Sequence, residues 1–482
     1  MQAPLKWLLV PWTLWMAAAG NWPAWRGPEM TGAATEKDLP QHWSKTANVR
    51  WRIELPAPGN SSPIVWGDRV FVSQAVPKEN RRTVMCLDRS TGKVLWQSGI
   101  TYGDPEPTQE NNPFCSGSPA TDGEKVYVCF GSAGVYAYNM DGKEVWRQDL
   151  GKLNNMFGNA VSVVLAGDRC FLNYGPDAKA RLVALDKATG KVLWKTEPPK
   201  PDESEFPEVG PGGPGGPGGP GGSRGPGGPG AAPGGPDRGP GGPPDDRGGP
   251  NGGRGPDGRG PAGRGGPGGG DPARGSSWST PIVIHVGDHE EVILSTAGRL
   301  VAYDPASGKP LWLSKGLGPS IYTSPVWGDG VVFAAAGGPG GGPAIAVKPG
   351  GSGDVTASRG VWRLERVKSA IGSGVIHDGH LYTISQEGIA QCLDLKTGGT
   401  IWEERLQGPG ARGSSWSSMI VADGMIYVPN QAGDVFVLRA APKFELIATN
   451  SVDEPTNASL AASNGDLFLR TNQSLWCFTN RN

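Results

Sequence analysis

The feature that most constrains this chain is one hairpin written eight times. An apolar run, a two-residue Gly/Asp/Asn turn and a second apolar run appear as Ser62-Pro63-Ile64-Val65-Trp66-Gly67-Asp68-Arg69-Val70-Phe71-Val72. The pattern returns around Asp122-Gly123, Gly167-Asp168, Gly287-Asp288, Asp329-Gly330, Asp378-Gly379, Asp423-Gly424 and Asn464-Gly465. Such dipeptides accept the positive φ angles of tight hairpin turns, whose twist matches the flanking strands. A second element follows, Cys86-Leu87-Asp88-Arg89-Ser90-Thr91-Gly92-Lys93-Val94-Leu95-Trp96. Its cognates end at Trp194, Trp312 and Trp402, a shorter version ends at Trp146, and a longer Gly-rich turn precedes Trp362. Each unit therefore predicts four short strands in about 40–50 residues, the period of a propeller blade.

A lone four-stranded sheet cannot bury both faces, whereas eight stacked radially can. The expected fold class is all-β: an eight-bladed β-propeller of four-stranded antiparallel blades, spanning residues 21–482. Trp51, Trp96, Trp146, Trp194, Trp312, Trp362 and Trp402 are expected to be structural docking residues wedged between neighbouring blades. The ends of the chain predict how the ring closes. The eighth unit stops after three strands, at Ser474-Leu475-Trp476-Cys477-Phe478. Val49-Arg50-Trp51-Arg52-Ile53-Glu54-Leu55 reads as an outer strand without its preceding three, so this N-terminal strand is expected to complete the last blade.

Composition matters at two places. The chain has 482 residues with 78 Gly and 46 Pro, and 46 of the 61 residues from Gly210 to Gly270 are Gly or Pro. Residues 203–274 are therefore expected to be a disordered Gly/Pro-rich insertion within the propeller, because such a segment cannot form a core. At the N-terminus, Lys6 precedes an apolar stretch from Trp7 to Ala19, which ends in Ala17-Ala18-Ala19-Gly20. This reads as a signal peptide over 1–20, and hence as an exported protein of the periplasm or cell envelope with no transmembrane span after cleavage. Lys plus Arg 45 against Asp plus Glu 46 gives a net charge of −1, which favours no nucleic-acid partner. The expected oligomeric state is a monomer.

The Asp-x-x-Thr/Ser-Gly-x-x-x-Trp element resembles the tryptophan-docking repeat of PQQ-like (quinoprotein-type) β-propellers, a family that includes quinoprotein alcohol dehydrogenases and the non-catalytic assembly factor BamB. Asn21-Trp22-Pro23-Ala24-Trp25-Arg26-Gly27-Pro28, with Trp51 and Ser61-Ser62-Pro63, resembles exported BamB-like repeat proteins of the planctomycete type. The resemblance runs from about Trp22 to Phe478, apart from the insert. It implies one of two functions: a non-catalytic scaffold of the bacterial cell envelope, or a quinone-dependent oxidoreductase of alcohols or sugars.

The enzymes of that family seat a flat quinone between a Trp and two adjacent, disulfide-linked cysteines, with a Ca²⁺ beside it. This sequence has no adjacent pair: its cysteines are Cys86, Cys115, Cys129, Cys170, Cys392 and Cys477. Cys86, Cys392 and Cys477 share a repeat position with Ala184 and Ala302, a small-residue slot that suggests buried core thiols. His285 with His289, and His377 with His380, straddle hairpin turns instead of sharing a helix face, so no metal site is expected. No catalytic residue and no cofactor is assigned; PQQ with Ca is the alternative. The candidate binding residues are Trp278 and Trp416, which lie in the near-copies Gly275-Ser276-Ser277-Trp278-Ser279-Thr280 and Gly413-Ser414-Ser415-Trp416-Ser417-Ser418. Asn111 and Asn112 join them, with Asn154, Asn155 and Asn159 nearby. Such a channel mouth suits a planar ligand, a carbohydrate or an envelope protein; equally, the Ser/Gly-rich stretches let eight strands crowd the axis while the Trp rings pack sideways.

Overall fold

The computed structural model describes residues 20–176, 180–202, 205–206, 273–338, 340–410 and 413–480. The expected signal segment, save Gly20, and the insert, save its margins, lie outside the described residues. The chain divides into a unit of residues 1–206 with 273–482 and a second unit, 207–272. The first unit is the eight-bladed all-β propeller.

Its blades follow chain order. Blade 1 runs Ile64–Trp66, Arg69–Val76, Arg81–Asp88 and Val94–Thr101, each strand antiparallel to the next. Blades 2 to 7 open with Ala120–Thr121, Val164–Ala166, Ile282–Val286, Val326–Gly328, Val375–His377 and Ile420–Ala422, and blade 8 with Ala461–Ser463. Four of the first hairpins turn on two consecutive residues of positive φ, for example Asp329 (48°) and Gly330 (75°). That backbone is the one an Asp-Gly or Asn-Gly pair accepts at least cost.

Blade 8 supplies three strands, and the segment Val49–Glu54 adds the fourth, antiparallel to Ser474–Thr479 with Trp51 opposite Cys477. The ring is thus clasped by its own N-terminal strand. Two buried carboxylates fasten the seam. Asp466 bonds Arg50 of the closing strand at 3.1 Å and Arg89 of blade 1 at 2.9 Å. Glu454 accepts from Arg52, Ser474, Trp476 Nε1 and Thr471.

A three-residue layer repeats through the blades. A large residue of the second strand, a small one of the third and a Trp of the fourth stand side by side: Phe71–Cys86–Trp96, Tyr127–Ala137–Trp146, Phe171–Ala184–Trp194. The small middle residue lets the two rings approach across it, to 5.9 Å between centroids in all three. Blade 7 reads Tyr427–Val437–Ala448, so a larger middle residue accompanies the loss of the Trp.

Each indole then reaches into the next blade. Trp96 Nε1 donates to Met140 O, Trp146 to Lys187 O, Trp194 to Pro305 O, Trp362 to Leu395 O and Trp402 to Ala441 O, at 2.8–3.0 Å. Trp312 differs. Its Nε1 donates to Glu291 Oε2 at 2.8 Å inside its own blade. The long turn of blade 5 explains this, because Gly353–Asp354 pairs parallel with Trp312–Leu313 and covers the outer edge of blade 4.

Candidate functional site

The axis is built from residues that precede the eight innermost strands. A Ser or Thr stands two places before each of them: Ser62, Ser118, Ser162, Thr280, Ser324, Ser373, Ser418 and Ser459. Each hydroxyl accepts the backbone N–H of its counterpart in the preceding blade. The bonds run from Ser62 N to Ser118 Oγ (2.9 Å), then through Ser162, Thr280, Ser324, Ser373, Ser418 and Ser459. The last, Ser459 N to Ser62 Oγ at 2.9 Å, returns to the start. All eight residues are buried. This closed ring satisfies backbone N–H groups that face the axis and have no neighbouring strand to pair with. The sequence signal is a hydroxyl two places before each innermost strand.

The turn side of the axis carries the N-terminal segment. Trp22 pairs antiparallel with Val65 of blade 1, and Pro23 O accepts from Thr121 N of blade 2. Met30 packs into the core of blades 3 and 4 with Val164 and Ile284. Arg26 Nη2 donates to Gly374 O of blade 6, and Ala33–Ala34 pairs parallel with Val421–Ala422 of blade 7. Residues 22–34 therefore contact blades right round the ring. The stretch Asn21–Pro28, legible as a family signature, is in physical terms a plug. Beside it a cavity of about 440 Å³ is lined by residues that include Trp66, Met30, His285 and Trp327.

At the serine side, Trp278 is half-buried. Its Nε1 donates to Gly158 O at 3.0 Å, and its ring stacks on Tyr322 at 5.0 Å with Phe157 edge-on at 5.9 Å. Asn112 Nδ2 donates to Phe157 O at 2.7 Å, which joins it to this cluster. Asn111 is exposed, but its carbonyl accepts from Asn60 Nδ2 (2.8 Å) and Asn457 Nδ2 (3.3 Å), so the loop before blade 2 reaches the mouths of blades 1 and 8. Gln431 of blade 7 donates to Asn457 Oδ1 at 2.8 Å and extends the amide chain. Asn155 and Asn159 cap their own turn, accepting from Phe157 N and Val161 N. Trp416 is half-buried at the corresponding place of blade 7, three blades from Trp278, in a separate sector of the mouth. Asn60, Asn457 and Gln431 had no sequence signal, because isolated amides in loops carry no period.

The mouth is thus neutral, amide-rich and walled by aromatic rings. The cysteines are free and buried. Burial pushes the thiols of Cys86 and Cys129 up to about 12, and those of Cys115 and Cys392 to about 11. Among the described residues, no group of three or more His, Cys, Asp or Glu side chains is arranged so that it could hold a metal ion. The donor set at the mouth is amides and hydroxyls, which does not fit a quinone seated on adjacent cysteines beside a carboxylate-held cation.

The fold and these sites find counterparts among known proteins. The chain is 25% identical over 205 residues to a polyvinylalcohol dehydrogenase of Sphingopyxis sp., covering 37% of this chain and 29% of that protein. The chain spans about a third of the length of the curated relatives it matches. The crystal structure of BamB from Moraxella catarrhalis superposes with a TM-score of 0.54 at 14% identity, over 89% of this chain and 99% of that one. Quinohemoprotein alcohol dehydrogenase from Comamonas testosteroni gives a TM-score of 0.60 at 13% identity, over 96% and 81%. Both superpositions speak for the fold alone. A family model described as outer membrane protein assembly factor BamB matches residues 33–141, 80–208 and 296–478, and the chain belongs to that family.

Proposed function

We propose that this protein is an exported, non-catalytic binding scaffold of the bacterial cell envelope, with the serine-side mouth as its recognition face. The observation that supports this most is the way the mouth is built. Trp278, Asn112, Asn155 and Asn159 are each committed to a structural partner, and Asn111 bridges two other blades. Such groups are positioned by one another into a rigid neutral surface, not around a reacting centre, and a rigid surface spends little ordering entropy on binding. The partner class is an envelope protein or a carbohydrate, and the protein acts as a monomer after removal of residues 1–20.

The second reading is a quinone-dependent oxidoreductase that uses Trp278 or Trp416 for stacking. The dehydrogenase named among the relatives favours it. One experiment separates the two. The purified full chain is incubated with PQQ and Ca²⁺, desalted, and assayed for bound quinone absorbance and dye-linked alcohol oxidation. In parallel it serves as bait in a native envelope extract, with and without residues 207–272. The scaffold reading expects no stoichiometric quinone, no turnover and a retained partner. Stoichiometric quinone with turnover would establish the oxidoreductase instead.

A further inference from the structure

Two indoles that line the cavity on the turn side are uncommitted. Trp66 ends the first strand of blade 1, and Trp327 lies in the first strand of blade 5. The docking tryptophans each spend Nε1 on an acceptor, as Trp51 does on Arg89 O. Trp66 and Trp327 do not. Both are half-buried, and neither Nε1 has a hydrogen-bond partner among the described residues. The turn of blade 2 holds the Trp66 ring in place, since a Cβ on Gly123 would stand 2.4 Å from its Cε2. In a ring of eight blades, blades 1 and 5 stand opposite each other. The lining is drawn from blades 1 to 5 in turn, with plug residues between Pro23 and Met30 along the side. The space of about 440 Å³ therefore runs across the ring, with an indole at each end.

The charges of the lining are unbalanced. Glu29, Asp122 and Glu290 stand against one lysine, Lys187. Lys187 is paired with Asp122 at 3.2 Å. Glu290 has His285 at 3.6 Å, a partner that carries charge only when protonated. Glu29 is exposed on the plug and forms no hydrogen bond or ion pair among the described residues. Ala24, Met30, Leu165 and Val283 give the wall an aliphatic stretch. The described lining contains no Asn, Gln or Ser, and the Thr121 hydroxyl already donates to Lys125 O at 2.7 Å. A sugar would leave most of its hydroxyls without partners there, and an anion would meet the carboxylates. A cation on an aliphatic chain gains from every part of the wall. Carboxylates attract its charge, an indole face attracts an ammonium group, and methylene groups cover the aliphatic stretch.

We propose that this cavity binds a linear aliphatic polyamine, one molecule per chain. Its terminal ammonium groups lie at the Trp66 and Trp327 ends, Glu29 and Glu290 supply the counter-charge, and its methylenes run along the aliphatic wall. The site is on the face away from the serine-side mouth and does not depend on what the mouth binds. Plug residues form one wall and the blades the other, so the bound chain also ties the plug to the ring and raises the stability of the folded protein.

The test titrates the full chain with spermidine, followed by calorimetry, tryptophan emission and melting temperature. Octanediol serves as an uncharged chain of similar length, and Mg²⁺ at equal ionic strength as a cation without methylenes. The expected result is saturable one-to-one binding of spermidine with a change in emission and a raised melting temperature, and neither effect from the two controls. The double variant Glu29→Gln/Glu290→Gln changes two side chains that reach solvent. It is expected to melt like the native protein without ligand and to bind spermidine at least about fivefold more weakly. Trp66→Leu and Trp327→Leu keep an apolar side chain but lose the ring, and each is expected to weaken binding by a similar factor. Should either tryptophan variant fail to fold, the carboxylate variant decides. No binding of millimolar spermidine, an equal response to octanediol or Mg²⁺, or an unchanged affinity in the carboxylate variant overturns the proposal.

Discussion

The indole of Trp51 lies flat against Gly92: a Cβ built on that glycine would stand 2.7 Å from Trp51 Cδ2. The same relationship links Trp96 with Gly142, Trp146 with Gly190, Trp194 with Gly308 and Trp362 with Gly398. The Gly and the Trp that lie four residues apart in sequence are therefore not partners. Each glycine receives the indole of the preceding blade, while its own Trp moves on to the next. The repeat is a hook and an eye, and it is satisfied only when the blades stand in a circle. Trp51 is the hook that completes it, since its Nε1 reaches Arg89 O of blade 1 at 2.7 Å.

Trp51→Ala removes a buried ring from the closing seam and is expected to cost about 3–5 kcal/mol. Gly92→Ala, which forces a Cβ onto the same ring at a φ of 72°, is expected to destabilise in the same direction. Urea unfolding followed by circular dichroism measures both. Trp416→Ala serves as the comparison, because its half-buried ring has no partner of this kind, and a smaller loss is expected there. An equal loss would show that the seam has no special place in stability.

Cys86 sits between Phe71 and Trp96, where other blades have Ala137, Ala184, Ala302 and Ala346. Cys86→Ala is therefore expected to be tolerated within about 1.5 kcal/mol, and Cys86→Leu to lose about 1–3 kcal/mol by forcing the rings apart. A thiol raised to about 12 and buried reacts slowly. A thiol reagent is expected to label Cys86 only in denaturant. Rapid labelling of the native protein would place that layer at the surface.

The eight blades and their closure were legible in the sequence because both are carried by period: a turn dipeptide between apolar runs, and an outer strand missing at one end and spare at the other. Aperiodic features were not. The plug at residues 22–34 reads as a motif with no strand pattern, because its bonds go to four different blades rather than to one partner strand. Trp312 looked like the other docking residues, yet the longer turn of blade 5 replaces the eye with a fifth strand. At the mouth, Trp278 was found through its near-copy at Trp416, but copying did not give the two equivalent neighbours. Tyr322 and Phe157 come from the adjacent loops, and among the described residues no ring contact of this kind flanks Trp416.

The insert is expected to be dispensable for folding. Its margins are tied to the propeller: Glu205 bonds Arg299 at 2.6 Å, and Arg274 lies over the Phe206 ring at 5.0 Å. Replacing residues 207–272 by a short Gly/Ser linker should leave the melting temperature within about 2 °C, since about 1 kcal/mol moves a domain of about 150–250 residues by about 2–4 °C and a larger one by less. A collapse of the cooperative transition would show that the removed residues contribute to the core.

The hydroxyl ring gives a graded series. Ser459→Thr preserves the acceptor, as Thr280 does in blade 4, and is expected to be nearly neutral. Ser459→Ala strands the buried N–H of Ser418 and is expected to cost about 1–3 kcal/mol. Equal stability of the two variants would mean that water replaces the hydroxyl without penalty.

Glu454 makes the seam sensitive to acid. Burial alone would raise its pKa, but hydrogen bonds from Thr471, Trp476, Arg52 and Ser474 outweigh burial and hold the carboxyl below its ordinary value of 4.5. A carboxyl whose pKa is lower folded than unfolded stabilises the fold fully above the ordinary value, and that contribution fades as pH falls through the lowered one. Glu454→Gln keeps the shape and loses the charge. At about pH 7 it is expected to be less stable than the native protein by about 1–3 kcal/mol, from weakened bonds to buried donors. Once the pH falls below the lowered value, the native carboxyl has taken up its proton and the gap between the two proteins should close. Urea midpoints at the two pH values, taken as the difference between native and variant, isolate this group from the other titrating carboxylates. A gap that stays constant across that range would show that Glu454 is not the acid-sensitive clasp of the ring.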